Sequence, residues 1–201
     1  TPNGTEISNT AEIARGYKSG YNIIQTKGER AEGSLSNLHS GKGGTGATGG
    51  DGGDTNYFIA RSYSGDSYKY KNPRASKNIV FNELFIDWDQ DLVIVEGVFD
   101  AIVAGNAVPI LGSTLRADSR LIQKIVYNDT PVYIALDPDA EAKERKIIQT
   151  LLKYDIELYK IDVSGYEDVG SMPKEIFERR KQQASFIDND NYLLMNLLMA
   201  I

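Results

Sequence analysis

The sequence predicts an α/β fold: a parallel sheet with helices on both faces, preceded by a small basic β-rich segment and a Gly-rich flexible N-terminal region. Three observations carry this reading. Short apolar runs alternate with amphipathic stretches from residue 91 to residue 163, and strand–helix alternation at this spacing implies parallel strands joined by right-handed crossovers. Between Arg61 and Lys77, five basic residues stand against Asp66 alone. Between Gly41 and Gly53 lie eight of the nineteen glycines, a backbone whose ordering costs more entropy than any other composition.

The elements follow in chain order. Residues 1–55 read as a poorly structured segment with a Gly-rich linker; Ile7–Ile24 forms at most one short helix around Ala11–Tyr17. Residues 56–90 read as a basic hairpin segment. Tyr57–Tyr63 has the composition of a strand, Gly65-Asp66 that of a turn, and Ser67–Tyr70 that of a second strand. Ile79-Val80-Phe81 and Leu84-Phe85-Ile86 add apolar surface, and Trp88 reads as a partly buried anchor. Residues 91–185 read as one domain of alternating strands and helices. Leu92–Val95 is continuously apolar, as expected of a strand covered on both faces. Val98–Ala104 fits a short helix, Val108–Leu111 a strand, and Asp118–Tyr127 a helix with Leu121, Ile122, Ile125 and Val126 inward. Val132–Leu136 is again a buried strand, Glu141–Tyr154 an amphipathic helix on Ile147, Ile148, Leu151 and Leu152, and Ile156–Ile161 a further strand. Residues 186–201 read as an apolar C-terminal helix, docked on the core or offered to a partner.

A length of 201 residues suits one domain, or one domain with an appendage. No run of eighteen apolar residues is present, so no membrane partner is expected, nor is there a basic-then-apolar leader. Zero cysteines exclude a thiolate zinc site, and His39 alone cannot build an imidazole cluster. A net charge of −6 argues against binding nucleic acid over the whole surface, while the local basic run allows it. Gly41–Thr48 imitates a phosphate-binding loop, but Ala47 stands where the lysine is required and Gly49–Gly53 cannot start a helix. The chemistry therefore rests on carboxylates.

In an open parallel sheet, ligands collect beyond the carboxyl ends of the strands. Glu96-Gly97 follows Leu92–Val95, Asp137-Pro138-Asp139 follows Val132–Leu136, and Asp168 lies in the loop after Ile156–Ile161. Asp100 comes one helical turn after Glu96. Carboxylates meeting at one edge repel unless a cation neutralises them, and oxygen-only ligands select a hard ion, Mg²⁺ or Mn²⁺. Two such ions suit in-line displacement at phosphorus. Each motif alone also has a plain structural reading: Asp-Pro-Asp as a helix cap, Glu-Gly as a turn.

Together, Val93-Ile94-Val95-Glu96-Gly97-Val98-Phe99-Asp100-Ala101 and Ile134-Ala135-Leu136-Asp137-Pro138-Asp139 resemble the Toprim domain shared by bacterial-type primases, topoisomerases and some nucleases. The resemblance covers roughly residues 91–170. Asp100, Gly112-Ser113-Thr114 and Glu167-Asp168 are similar to the primase branch. Upstream, Phe58-Ile59-Ala60-Arg61 and Tyr68-Lys69-Tyr70-Lys71-Asn72-Pro73 resemble the segment that precedes the domain in primases, most of all phage-encoded ones.

The resemblance implies a Toprim-like sheet and the catalytic core of a DNA primase, making short RNA primers on single-stranded DNA by Mg²⁺-dependent nucleotidyl transfer. It implies Glu96, Asp137 and Asp139 as catalytic residues, and Glu96, Asp100, Asp137, Asp139 and Asp168 as ligands of two Mg²⁺ or Mn²⁺ ions, with no zinc. Arg61, Lys69, Lys71, Arg74 and Lys77 would meet template or nucleotide phosphates. Implied partners are a single-stranded DNA template, ribonucleoside triphosphates and a replicative helicase, in the cytoplasm, that of the host if the chain is phage-encoded. Two alternatives stand beside it: a Toprim-type metal-dependent nuclease, and a non-catalytic nucleic-acid or replisome interaction module.

Overall fold

The parallel sheet is present, and its strand order decides where a site can form. The structure, a computed structural model, describes residues 6–8, 21–27, 55–62, 70–71, 77–111 and 115–192. The chain divides into two units, Thr1–Phe85 and Ile86–Ile201.

In the first unit, β1 (Glu6–Ser8), β2 (Tyr21–Lys27), β3 (Thr55–Ser62) and β4 (Tyr70–Lys71) form an antiparallel sheet in that order. The expected hairpin is the β3–β4 pair, with Ala60 across from Lys71 and Arg61 across from Tyr70. Within the segment read as poorly structured, residues 6–8 and 21–27 are strands β1 and β2. Tyr21–Lys27 holds only Tyr21, Ile23 and Ile24 as large apolar residues, too few to signal a strand by pattern, yet all seven of its residues pair with β3, and such backbone pairing leaves little trace in composition. The helix expected at Ala11–Tyr17, the Gly-rich stretch and His39 lie outside the described residues. Ile79, Val80 and Phe81 are buried, whereas Leu84 and Phe85 are exposed on a 3-10 turn, Glu83–Phe85.

The second unit holds β5 (Leu92–Val95), α1 (Val98–Ala104), β6 (Ala107–Pro109), α2 (Arg120–Asn128), β7 (Val132–Ala135), α3 (Glu141–Leu152), β8 (Leu158–Lys160), α4 (Lys174–Gln182) and β9 (Ser185–Ile187). The sheet order is β6-β5-β7-β8-β9. Only β9 runs antiparallel. The chain steps from β5 to β6 on one side, then crosses back to β7 on the other. With right-handed crossovers, that reversal places α1 on one face and α2 and α3 on the opposite one.

Burial follows the same division. Val93, Val95 and Ala135 pack with Ala101 and Ala104 of α1 and with Phe177 of α4. Leu92, Ile94, Val132 and Ile134 are fully buried, as are the stripes Ile122/Ile125 on α2 and Ile147/Leu151 on α3. Trp88 is half-buried, and its carbonyl accepts the Thr130 hydroxyl at 2.8 Å.

The C-terminal boundary needs correcting: Phe186 and Ile187 belong to β9 rather than to a terminal helix. Helix is present at residues 189–192, and the remainder of the apolar tail lies outside the described residues. Among the described residues, no helix is long and apolar enough to cross a membrane.

Candidate metal centre

Neighbouring parallel strands that connect in opposite directions leave a crevice beyond their carboxyl ends. Here those strands are β5 and β7, whose last paired residues are Val95 and Ala135. Glu96 follows Val95 directly, and Asp137 follows Ala135 after one residue. Both therefore emerge at the switch point. The Asp137 carbonyl accepts the Ala140 N–H at 2.9 Å, closing a turn through Pro138 that delivers Asp139 and starts α3.

Glu96, Asp137 and Asp139 each bring one carboxylate oxygen within 4.8 Å of the others. Asp139 is exposed and the other two are half-buried. Glu96 Oε1 accepts Lys143 Nζ of α3 at 2.5 Å. Glu96 Oε2 and Asp137 Oδ1 are buried and have no hydrogen-bond partner. Buried carboxylate oxygens without donors are costly, and three carboxylates with two such oxygens suit a hard divalent cation. The residues fit a metal ion.

Burial pushes the Asp137 carboxyl up to about 7, helped by the negative charges of Glu96, Asp100, Asp168 and Asp139. A carboxyl raised in the folded state favours folding fully below its unfolded pKa, and that contribution disappears as pH rises through the folded value. Metal-free protein is thus expected to lose stability from about pH 4 to about pH 7. Asp100, also raised, chiefly by burial, adds in the same direction. Because Asp137 remains partly solvated, screening reduces the effect to about 1 kcal/mol, or about 2–4 °C in melting temperature. Thermal melts in EDTA at pH 5 and pH 8 test this; equal stability at both refutes it.

Asp100 and Asp168 stand apart from the three-carboxylate cluster. Asp100 is buried, and both its oxygens are engaged: Oδ2 accepts the Gly97 N–H and Oδ1 the Gly170 N–H, each at 2.8 Å. A Cβ at Gly97 would lie 2.8 Å from Oδ2, and one at Gly170 2.9 Å from Oδ1, so a side chain at either position would push against the Asp100 carboxylate. Asp100 thereby ties the turn carrying Glu96 to the 3-10 turn Val169–Ser171. Asp168 caps that turn, its Oδ1 accepting the Ser171 N–H at 2.7 Å. From α4, Arg180 donates to the carbonyls of Asp162 at 2.6 Å and Ser164 at 2.8 Å, and lies over the Tyr166 ring. It fastens the loop that leads into Asp168.

No family model and no curated protein matches the sequence, whereas solved structures do. The E. coli primase catalytic core is similar with a TM-score of 0.62 at 20% identity, over 92% of this chain and 57% of that one. The DnaG primase catalytic domain bound to single-stranded DNA gives 0.57 at 23% identity, over 67% of this chain and 49% of that one. The primase fragment of the bacteriophage T7 primase-helicase protein gives 0.57 at 12% identity, over 90% and 66%. The chain has the fold of a primase catalytic core. It spans about half the length of the two bacterial structures.

Within this primase-core fold, the expected basic residues are placed only in part. Arg61 is on β3, Lys71 on β4, and Lys77 is exposed. Lys69 and Arg74 lie outside the described residues, as do Gly112-Ser113-Thr114. Sequence reasoning missed Lys143, Gly170 and Arg180. A signal existed for Lys143, since a lysine in the first turn of a helix opposes the helix dipole and asks for a local reason. Gly170 and Arg180 act on backbone groups far away in the chain, and no spacing rule announces such contacts.

Proposed function

We propose that this chain is the catalytic core of a DNA primase, joining ribonucleotides on a single-stranded DNA template with Mg²⁺ or Mn²⁺. The observation that carries the proposal is the convergence of Glu96, Asp137 and Asp139, with two unpartnered buried oxygens, at the switch point of a primase-core sheet. Glu96, Asp137 and Asp139 would hold two ions, with Asp100 and Asp168 as supporting or second-ion ligands, and Asp100 also ties together the turns that carry Glu96 and Asp168. When bound, the ions would stabilise charge at the attacking 3′-hydroxyl oxygen and on the departing pyrophosphate.

The chain's own groups divide the remaining work. Arg61, Lys69, Lys71, Arg74 and Lys77 would neutralise template and nucleotide phosphates, contacts that position the strand without reading its sequence. Similarity to a primase bound to single-stranded DNA and to the primase fragment of a primase-helicase supports a single-stranded template and a helicase partner.

The test is template-directed synthesis by the protein from labelled ribonucleotides on single-stranded DNA. Short RNA products that require Mg²⁺ or Mn²⁺ and vanish in EDTA are expected. Cleavage of the DNA without synthesis would identify a nuclease instead, and neither product would identify a binding module.

A further inference from the structure

Lys143 has no place in the chemistry above, yet its ammonium sits against a proposed metal ligand. The Nζ–Oε1 distance to Glu96 is 2.5 Å, and the two side chains are only 20% and 32% exposed. Lys143 is the third residue of α3, beside amide N–H groups that carry partial positive charge, where a cation is least favoured by the helix. Its position is accounted for by the acidic edge. The ammonium satisfies one Glu96 oxygen and leaves Glu96 Oε2 and Asp137 Oδ1 buried without partners, so a single positive charge only partly compensates the carboxylates.

We propose that Lys143 is a tethered placeholder cation, which occupies Glu96 Oε1 while no divalent ion is held and withdraws when one binds. An ammonium and a divalent ion on neighbouring oxygens repel, more strongly in a partly desolvated site than in water. The ammonium keeps the carboxylates assembled in the metal-free protein and opposes the ion that replaces it. It is a positioning residue, and it sets the divalent concentration at which the site loads. A lysine that merely oriented Glu96 as a permanent support would have the opposite effect, because removing such a support weakens metal binding.

This inference rests on the metal-centre reading, and one experiment separates the two. Mn²⁺ is titrated into the protein and into Lys143→Met, with binding read by calorimetry. The variant is expected to bind Mn²⁺ about tenfold more tightly and to melt at a lower temperature in EDTA. Equal or weaker binding by the variant overturns the placeholder role. If the wild type itself binds no Mn²⁺, both readings fall.

A second measurement needs no variant. Acetylation of Lys143 in the wild type, followed by peptide mass spectrometry, is expected to accelerate when Mn²⁺ is added. A rate that Mn²⁺ leaves unchanged or slows overturns the proposal.

Discussion

If the chain is a primase core, Asp137→Ala and Glu96→Ala are each expected to lower primer synthesis by about 100-fold or more, the scale seen when a group stabilising transition-state charge is removed. The reason is geometric: within the acidic cluster, Glu96 Oε2 and Asp137 Oδ1 are buried and accept no hydrogen bond, so each carboxylate offers the ion an oxygen that its neighbours do not. Asp137→Asn makes the sharper test, since it preserves volume and removes only the charge. The negative charges of Glu96, Asp100, Asp168 and Asp139 all act on Asp137, and the amide relieves that repulsion. The metal-free variant should therefore melt at the same temperature as the wild type or above it. Inactivity together with undiminished stability in EDTA assigns the loss to the site rather than to unfolding. Full primer synthesis by Asp137→Asn would remove Asp137 from the metal centre.

The legible part of this molecule is the part built from burial. Leu92–Val95 and Val132–Ala135 announce themselves because both faces of the sheet are covered, leaving no reason for a polar residue in either strand. The carboxylates that follow them are legible for a related reason: a charged residue directly after a buried strand is at the sheet edge, and two such edges brought side by side imply a cation. Legibility ends where backbone contacts decide. In α4, Phe177 is the one fully sequestered side chain, too little periodicity to read as a helix among Lys174, Glu175, Glu178, Arg179, Arg180 and Lys181. The strand β9 has three residues, two of them exposed, and is held by pairing with β8. The backbone contacts of Asp100 are illegible for the same reason. One turn after Glu96, its spacing suggests a ligand, and no spacing rule announces the Gly170 N–H, seventy residues away, that its Oδ1 also accepts.

Asp100→Ala is expected to destabilise the metal-free protein by about 3 kcal/mol, since it strands the Gly97 and Gly170 N–H groups, each costing about 1–3 kcal/mol when left unpaired. For a chain of this size that is a fall of about 6–12 °C in melting temperature. The measurement belongs in EDTA, where a residue whose main task is ligating metal costs nothing to remove and, in an acidic cluster, even stabilises. A clamp costs its full value there. Asp100→Asn should fall between, because the amide keeps one acceptor and turns its NH₂ toward the other backbone N–H, while the repulsion from Asp168 and Glu96 is relieved. Gly170→Ala provides an independent approach to the same contact: its Cβ would lie 2.9 Å from Asp100 Oδ1, so either the Asp100 carboxylate or the 3-10 turn that carries Asp168 must shift, and the clamp loosens. If the clamp positions the site, Gly170→Ala weakens Mn²⁺ binding with every carboxylate still in place. Wild-type stability of Asp100→Ala in EDTA, combined with weakened Mn²⁺ binding, would instead make Asp100 a ligand, with its bonds to Gly97 and Gly170 secondary.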